Sequence, residues 1–184
     1  AVQRESLTPE FPYMPKQEWE ARIAKARRLM ERDGLDALMV LNSKNQLYFF
    51  GSTKTYRNVY PDVGIIPREG PTTIVLESGD CLVADQEGYA ENNVGYRGDT
   101  EAPTPTAADS VKLITEVMHE LELAGKTIGM DFGDYMWWDG FTIREWERFK
   151  SMMSDTSFVD ATDLIWEMRM IKSEWEQGVM RHLH

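Results

Sequence analysis

Five consecutive apolar residues, Ala37-Leu38-Met39-Val40-Leu41, constrain this chain more than any other feature. Side chains alternate between the two faces of a strand, so a strand that is apolar at every position must be covered on both faces. The run follows segment 16–33, where Trp19, Ile23, Ala26 and Met30 recur at helical spacing. Glu18 and Glu20 lie early in that segment and Lys25, Arg27 and Arg28 later, in the sense that favours the helix dipole, and Gly34 is a natural stop. The pair reads as a helix leading into a buried central strand.

The other elements fit around it. Strands are expected at 36–41, 63–67, 72–77, 80–84, 127–131 and 157–159. The turns Arg68-Glu69-Gly70-Pro71 and Glu77-Ser78-Gly79-Asp80 make the second to fourth of these resemble an antiparallel meander. Residues 45–50 read as a short helical segment closed by Gly51, and 88–105 as a surface loop rich in Gly, Asn, Asp and Pro. Further helices are expected after a Thr106 cap, with Val111, Ile114, Met118 and Leu121 on one stripe, and at 139–153, with Ile143, Trp146, Phe149 or Lys150, and Met153 along one side. Asp160 should cap another, containing Leu164, Ile165 and Met168. The fold class is α/β, a mixed sheet of about six strands with helices on both faces. Residues 1–15, with Pro9, Pro12 and Pro15, form an irregular arm, and 16–172 the domain. Ser173 and Glu176 make a capping-box pattern that opens a new helix over 173–184, with Trp175, Val179 and Leu183 on one face. That helix is expected to be the first element of a further domain.

Composition narrows the function. The formal net charge is −11, and no basic stripe stands apart from the acidic residues, which disfavours nucleic acid. The apolar stretches are too short to span a bilayer, and the N-terminal residues carry no secretory apolar run, so a cytoplasmic location is expected. Cys81, the one cysteine, reads as a buried, inert strand thiol.

Catalytic fragments mostly fail on their own requirements. Gly125-Lys126-Thr127 lacks the preceding glycine of a phosphate loop, where Glu120 stands instead. Asp131-Phe132-Gly133 has none of the companion motifs of a kinase magnesium site. His182 and His184 diverge on a helix, and His119 is expected to face solvent. Asp131, Asp134 and Asp139 lie closer together; Asp131 ends a strand, where either a site or a turn-forming role is open. Trp137 and Trp138 cannot both face one core, leaving core filling or a contact surface.

Three stretches carry a resemblance. They are Arg22 with the helix to Met30 and Gly34-Leu35-Asp36-Ala37-Leu38; the N-x-x-Y-x-x-G segment Asn45 to Gly51; and Arg169-Met170-Ile171-Lys172-Ser173 followed by Glu176, Met180 and Arg181. Together they resemble the N-terminal domain of the creatinase/prolidase (Xaa-Pro peptidase) family and its junction with a "pita-bread" catalytic domain. The resemblance implies a non-catalytic domain that serves subunit assembly and substrate-pocket gating in a Xaa-Pro dipeptidase or aminopeptidase-like hydrolase. A creatinase-like amidinohydrolase, another non-peptidase relative or a free-standing binding module are the alternatives. It implies no catalytic residue, metal ligand or cofactor in this chain; in a peptidase parent, two divalent metals (Mn, Co or Zn) would sit in the C-terminal domain. The implied partners are that domain, a second subunit in a homodimer, and a small-molecule or dipeptide substrate. The loop between Gly51 and Val63 corresponds to the region that family members lend to a neighbouring active site. Within it, Arg57 flanked by Tyr56 and Tyr60 could hold a substrate carboxylate, or Arg57 could pair with Asp62.

Overall fold

The computed structural model describes residues 14–51, 61–96, 108–132 and 140–182. Among these residues six strands form one sheet: β1 (Ala37–Val40), β2 (Val63–Pro67), β3 (Thr73–Glu77), β4 (Asn92–Tyr96), β5 (Thr127–Met130) and β6 (Ser157–Asp160). Their order across the sheet is β4-β3-β2-β1-β5-β6. The β1–β2 and β2–β3 pairs are antiparallel, whereas β3–β4, β1–β5 and β5–β6 are parallel, so the sheet is mixed as expected.

The described residues include seven helices: α1 (Lys16–Asp33), α2 (Ser43–Phe50), α3 (Ser78–Glu87), α4 (Ala108–Glu120), α5 (Ile143–Met152), α6 (Thr162–Met170) and α7 (Glu174–His182). Two apolar clusters lie on either side of the sheet. Leu38 and Val40 of β1 join Trp19, Ile23, Ala26 and Met30 of α1, Phe49 and Phe50 of α2, and Leu164, Ile165 and Met168 of α6. Ala37 and Met39 of the same strand join Val111, Ile114 and Met118 of α4 and Phe149 of α5. The apolar run of β1 is thus divided residue by residue between two cores, and all four β1 residues are fully buried. Gly34 (φ 70°) and Gly51 (φ 68°) end α1 and α2 in the left-handed region that a side chain disfavours.

Four expectations are corrected. Residues 80–84 are not a strand but the middle of α3, and β4 lies inside the stretch read as a surface loop. The meander therefore has only its β2–β3 hairpin, and α3 is the crossover that a parallel β3–β4 pair requires. Cys81-Leu82-Val83 misleads because three adjacent apolar residues suit either element. In the helix Leu82 points outward, 67% exposed, and Cys81 is half-buried, not buried. Burial, and then the nearby Asp85, Asp62 and Asp80, still push the Cys81 thiol up, which keeps it protonated and unreactive. The helix expected at 139–153 starts at Ile143, capped by Thr142 in a reciprocal capping box with Glu145, and Ile143 faces solvent. Thr106, Asp134, Trp137, Trp138, Asp139, Leu183 and His184 lie outside the described residues.

Candidate functional site

Residues from each of the three family-like stretches (Arg22, Asn45, Tyr48, Arg169, Ser173 and Glu176) meet where α6 turns into α7. Arg22 leaves α1 and is 6% exposed. Its Nε donates to Glu18 Oε1 at 2.9 Å, one helical turn away, and an Nη donates to the Tyr48 carbonyl at 2.8 Å. The other Nη lies 3.3 Å from Glu176 Oε1 on α7. The guanidinium covers the Tyr48 ring at 4.1 Å and lies 5.6 Å from that of Trp175. One buried cation thus touches α1, α2 and α7.

The backbone of the turn is held from the same side. Lys25 donates to the carbonyls of Glu167 and Met168, Tyr48 Oη to Met168 at 3.1 Å, and Lys172 to Arg169 and Met170. These bonds occupy carbonyls that the end of a helix leaves without partners. Ser173 Oγ donates to Glu18 Oε1 at 2.8 Å. The expected capping box is present: Ser173 N donates to Glu176 Oε2 at 2.9 Å and Glu176 N to Ser173 Oγ at 3.1 Å. Burial pushes the Tyr48 phenol up to about 12, with the Arg22 charge opposing the shift, so it stays a donor.

A second network braces the first. Asp131 follows β5, and its carboxylate accepts from Leu41 N at 2.8 Å, Asn42 N at 3.0 Å and Asn45 Nδ2 at 2.9 Å. Asn45 Oδ1 in turn accepts from Arg169 at 2.6 Å. Burial pushes the Asp131 carboxyl up, and the hydrogen bonds from Asn45, Leu41 and Asn42 pull it back. Between a site and a structural role for Asp131, this geometry favours structure, because three donors occupy the carboxylate.

The sequence marked Arg22, Asn45, Tyr48 and Arg169 as motif residues without showing what they do, whereas Ser173 and Glu176 were legible as a capping box. The i,i+3 spacing of Asn45 and Tyr48, and the i,i+4 spacing of Glu18 and Arg22, were the available signals. Arg57, Tyr56 and Tyr60 lie outside the described residues. Their neighbour Asp62 is buried and accepts from Tyr96 Oη at 2.7 Å; its carbonyl accepts from Gln46 Nε2 at 3.0 Å. Burial, with the Asp62 carboxylate beside it, holds the Tyr96 phenol well above the usual range. His119 is exposed, as expected. Among the described residues no three His, Cys, Asp or Glu side chains are grouped so that they could hold a metal ion. No helix among these residues is long and apolar enough to cross a membrane.

The chain belongs to the creatinase/prolidase N-terminal domain family, whose pattern matches residues 22–171. A hydrolase/peptidase of Sinorhizobium fredii, itself of uncharacterised activity, is 26% identical over 170 residues, covering 91% of this chain and 42% of that protein. This chain therefore spans less than half the length of that relative. A recombinant prolidase from Thermococcus sibiricus superposes with a TM-score of 0.70 at 19% identity, over 91% of this chain and 40% of the prolidase. A proline dipeptidase chain from Streptococcus pneumoniae gives a TM-score of 0.64 at 17% identity, over 82% of this chain and 98% of that one. At these identities the superpositions establish the fold, a mixed α/β sheet shared with prolidase N-terminal domains.

Proposed function

We propose that this chain is the non-catalytic N-terminal part of a Xaa-Pro dipeptidase- or aminopeptidase-like hydrolase, serving subunit assembly and substrate-pocket gating. The observation that carries the assembly role is the surface around the α6–α7 turn. Trp166 (41%), Met170 (65%), Ile171 (78%) and Met180 (49%) are all exposed there, beside a backbone held rigidly by hydrogen bonds. Large apolar side chains concentrated in one stretch of exposed chain suit a surface that another domain covers. Family membership and the greater length of the Sinorhizobium fredii relative support a following catalytic domain as that cover. In this reading two divalent ions (Mn, Co or Zn) belong to the catalytic domain, and a homodimer brings the 52–62 loop to the neighbouring pocket. There Arg57 would grip a dipeptide carboxylate while Tyr56 and Tyr60 keep water out.

Steady-state kinetics of the full-length hydrolase on Xaa-Pro dipeptides test the reading. Arg57→Ala should lower kcat/KM by about ten- to a hundredfold, and Arg57→Lys should recover part of it, because a point charge cannot reproduce the planar fork. Unchanged kinetics would remove the loop from the pocket. Turnover of creatine instead of dipeptides would make the parent an amidinohydrolase, and turnover by the 184-residue chain alone would overturn the non-catalytic role.

A further inference from the structure

We infer that Arg22 is a positioning residue that sets the direction in which α7 leaves the domain, making 167–176 a rigid elbow instead of a free linker. The inference rests on the proposed function only for what α7 leads into; the elbow itself is a property of this chain.

Three observations carry it. Only three residues, Ile171, Lys172 and Ser173, separate α6 from α7. The carbonyls of Glu167, Met168, Arg169 and Met170 all accept side-chain hydrogen bonds, from Lys25, Tyr48 and Lys172, so the backbone before the turn has little freedom. Finally, α7 has no fully buried residue, so apolar packing alone does not hold it. What ties it down is polar: Glu176 to Arg22, Ser173 to Glu18, and Trp175 beside the Arg22 guanidinium. Arg22 lies at the centre of these contacts. The Arg22 and Glu18 side chains are 7% and 12% exposed, and Glu176 is 17% exposed, so water competes weakly for the pairs. The planar guanidinium meets Glu18, Glu176 and the Tyr48 carbonyl through separate nitrogens, which gives it direction as well as charge. A helix held by such a fork has one orientation; without it, α7 would pivot about Ser173.

The test measures that orientation. Spin labels at Arg181→Cys on α7 and Glu120→Cys on α4, in a Cys81→Ser background, report the α7 direction as a distance distribution by electron–electron resonance. With Arg22 and Glu176 intact the distribution should be single and narrow. Glu176→Gln keeps a side-chain oxygen for the capping box but removes the charge facing Arg22. It should broaden the distribution and speed amide exchange in α7 by at least about tenfold, while exchange in β1 changes by less than about twofold. Arg22→Lys should also broaden it, less than Arg22→Met, because charge is kept while the fork and the ring contact are lost. If Arg22→Met fails to fold, the Glu176→Gln result decides alone. A distribution that stays narrow in Glu176→Gln would overturn the inference, as would equal acceleration of exchange in α7 and β1. Neither result bears on whether the parent is a Xaa-Pro hydrolase, which the Arg57 kinetics address separately.

Discussion

The face of the sheet under α4 and α5 is filled mainly by rings and aliphatic chains, with Ser110 and Thr115 of α4 also buried and Tyr96 bonded to the buried Asp62. Phe149 stacks on Phe141 at 5.1 Å and meets Phe158 at 5.3 Å, and Trp146 meets Phe158 edge-on at 5.2 Å. The face under α1, α2 and α6 has an apolar floor of similar kind but also buries Arg22, Asn45 and Gln46, each with several hydrogen bonds. Buried polar groups add little net stability and cost much when one partner is removed, yet they accept only one arrangement of their surroundings. The contrast separates two tasks. The α4–α5 face contributes mainly cohesion, and the α1–α2–α6 face, with its denser polar network, fixes how particular elements meet. Arg22, Asn45, Tyr48 and Arg169 of the motifs lie on the second face, and Ser173 and Glu176 lie at the start of α7.

Three substitutions would break or sharpen that contrast. The largest effect is expected from Phe149→Ala, since the ring is fully buried among three others. A loss of about 3–5 kcal/mol in urea unfolding should follow, spread over the whole domain. Asp131→Asn is nearly the same size but turns an amide NH2 toward backbone donors that the carboxylate now satisfies. A loss of about 1–3 kcal/mol is expected, without the general loosening of a cavity. Tyr48→Phe should have the smallest effect, about 1 kcal/mol, from the lost bond to Met168.

Tyr48 also predicts a pH response. Its folded phenol is raised from 10.0 to about 12, so above pH 10 the native state holds a proton that the unfolded state has released. The stability linked to Tyr48 is therefore complete below pH 10 and is lost as pH rises toward 12. Urea melts across that range should fall steeply for the native sequence and less steeply for Tyr48→Phe. Tyr96 and Cys81, both raised as well, contribute to the remaining slope.

The parts of the fold that rest on local pattern were legible in the sequence. The α1 stripe, the β1 run, the glycine stops and the Ser173–Glu176 box each depend on neighbours within a few positions, and each appears as read. β4 was not legible, because Asn-Asn-Val-Gly-Tyr at a sheet edge has only Val94 and Tyr96 to signal alternation. The mistaken strand at 80–84 follows from the same gap: without β4 there was no reason for a crossover helix. The junction was recognisable as a motif but not as a mechanism. Asn45 finds Asp131 at a separation of 86 residues and Arg169 at 124, and no periodicity reports contacts at that range.

The division of labour between the two faces is tested most directly by residue-resolved hydrogen exchange on the native sequence, Phe149→Ala and Glu176→Gln, run side by side. Phe149→Ala should accelerate exchange in α7 and in every strand together, since it lowers the stability of the whole domain. Glu176→Gln should accelerate residues 171–182 and leave β1, β2 and β5 at their native rates. If the two variants accelerate the same set of amides, α7 belongs to the cooperative core and the polar face has no separate orienting task.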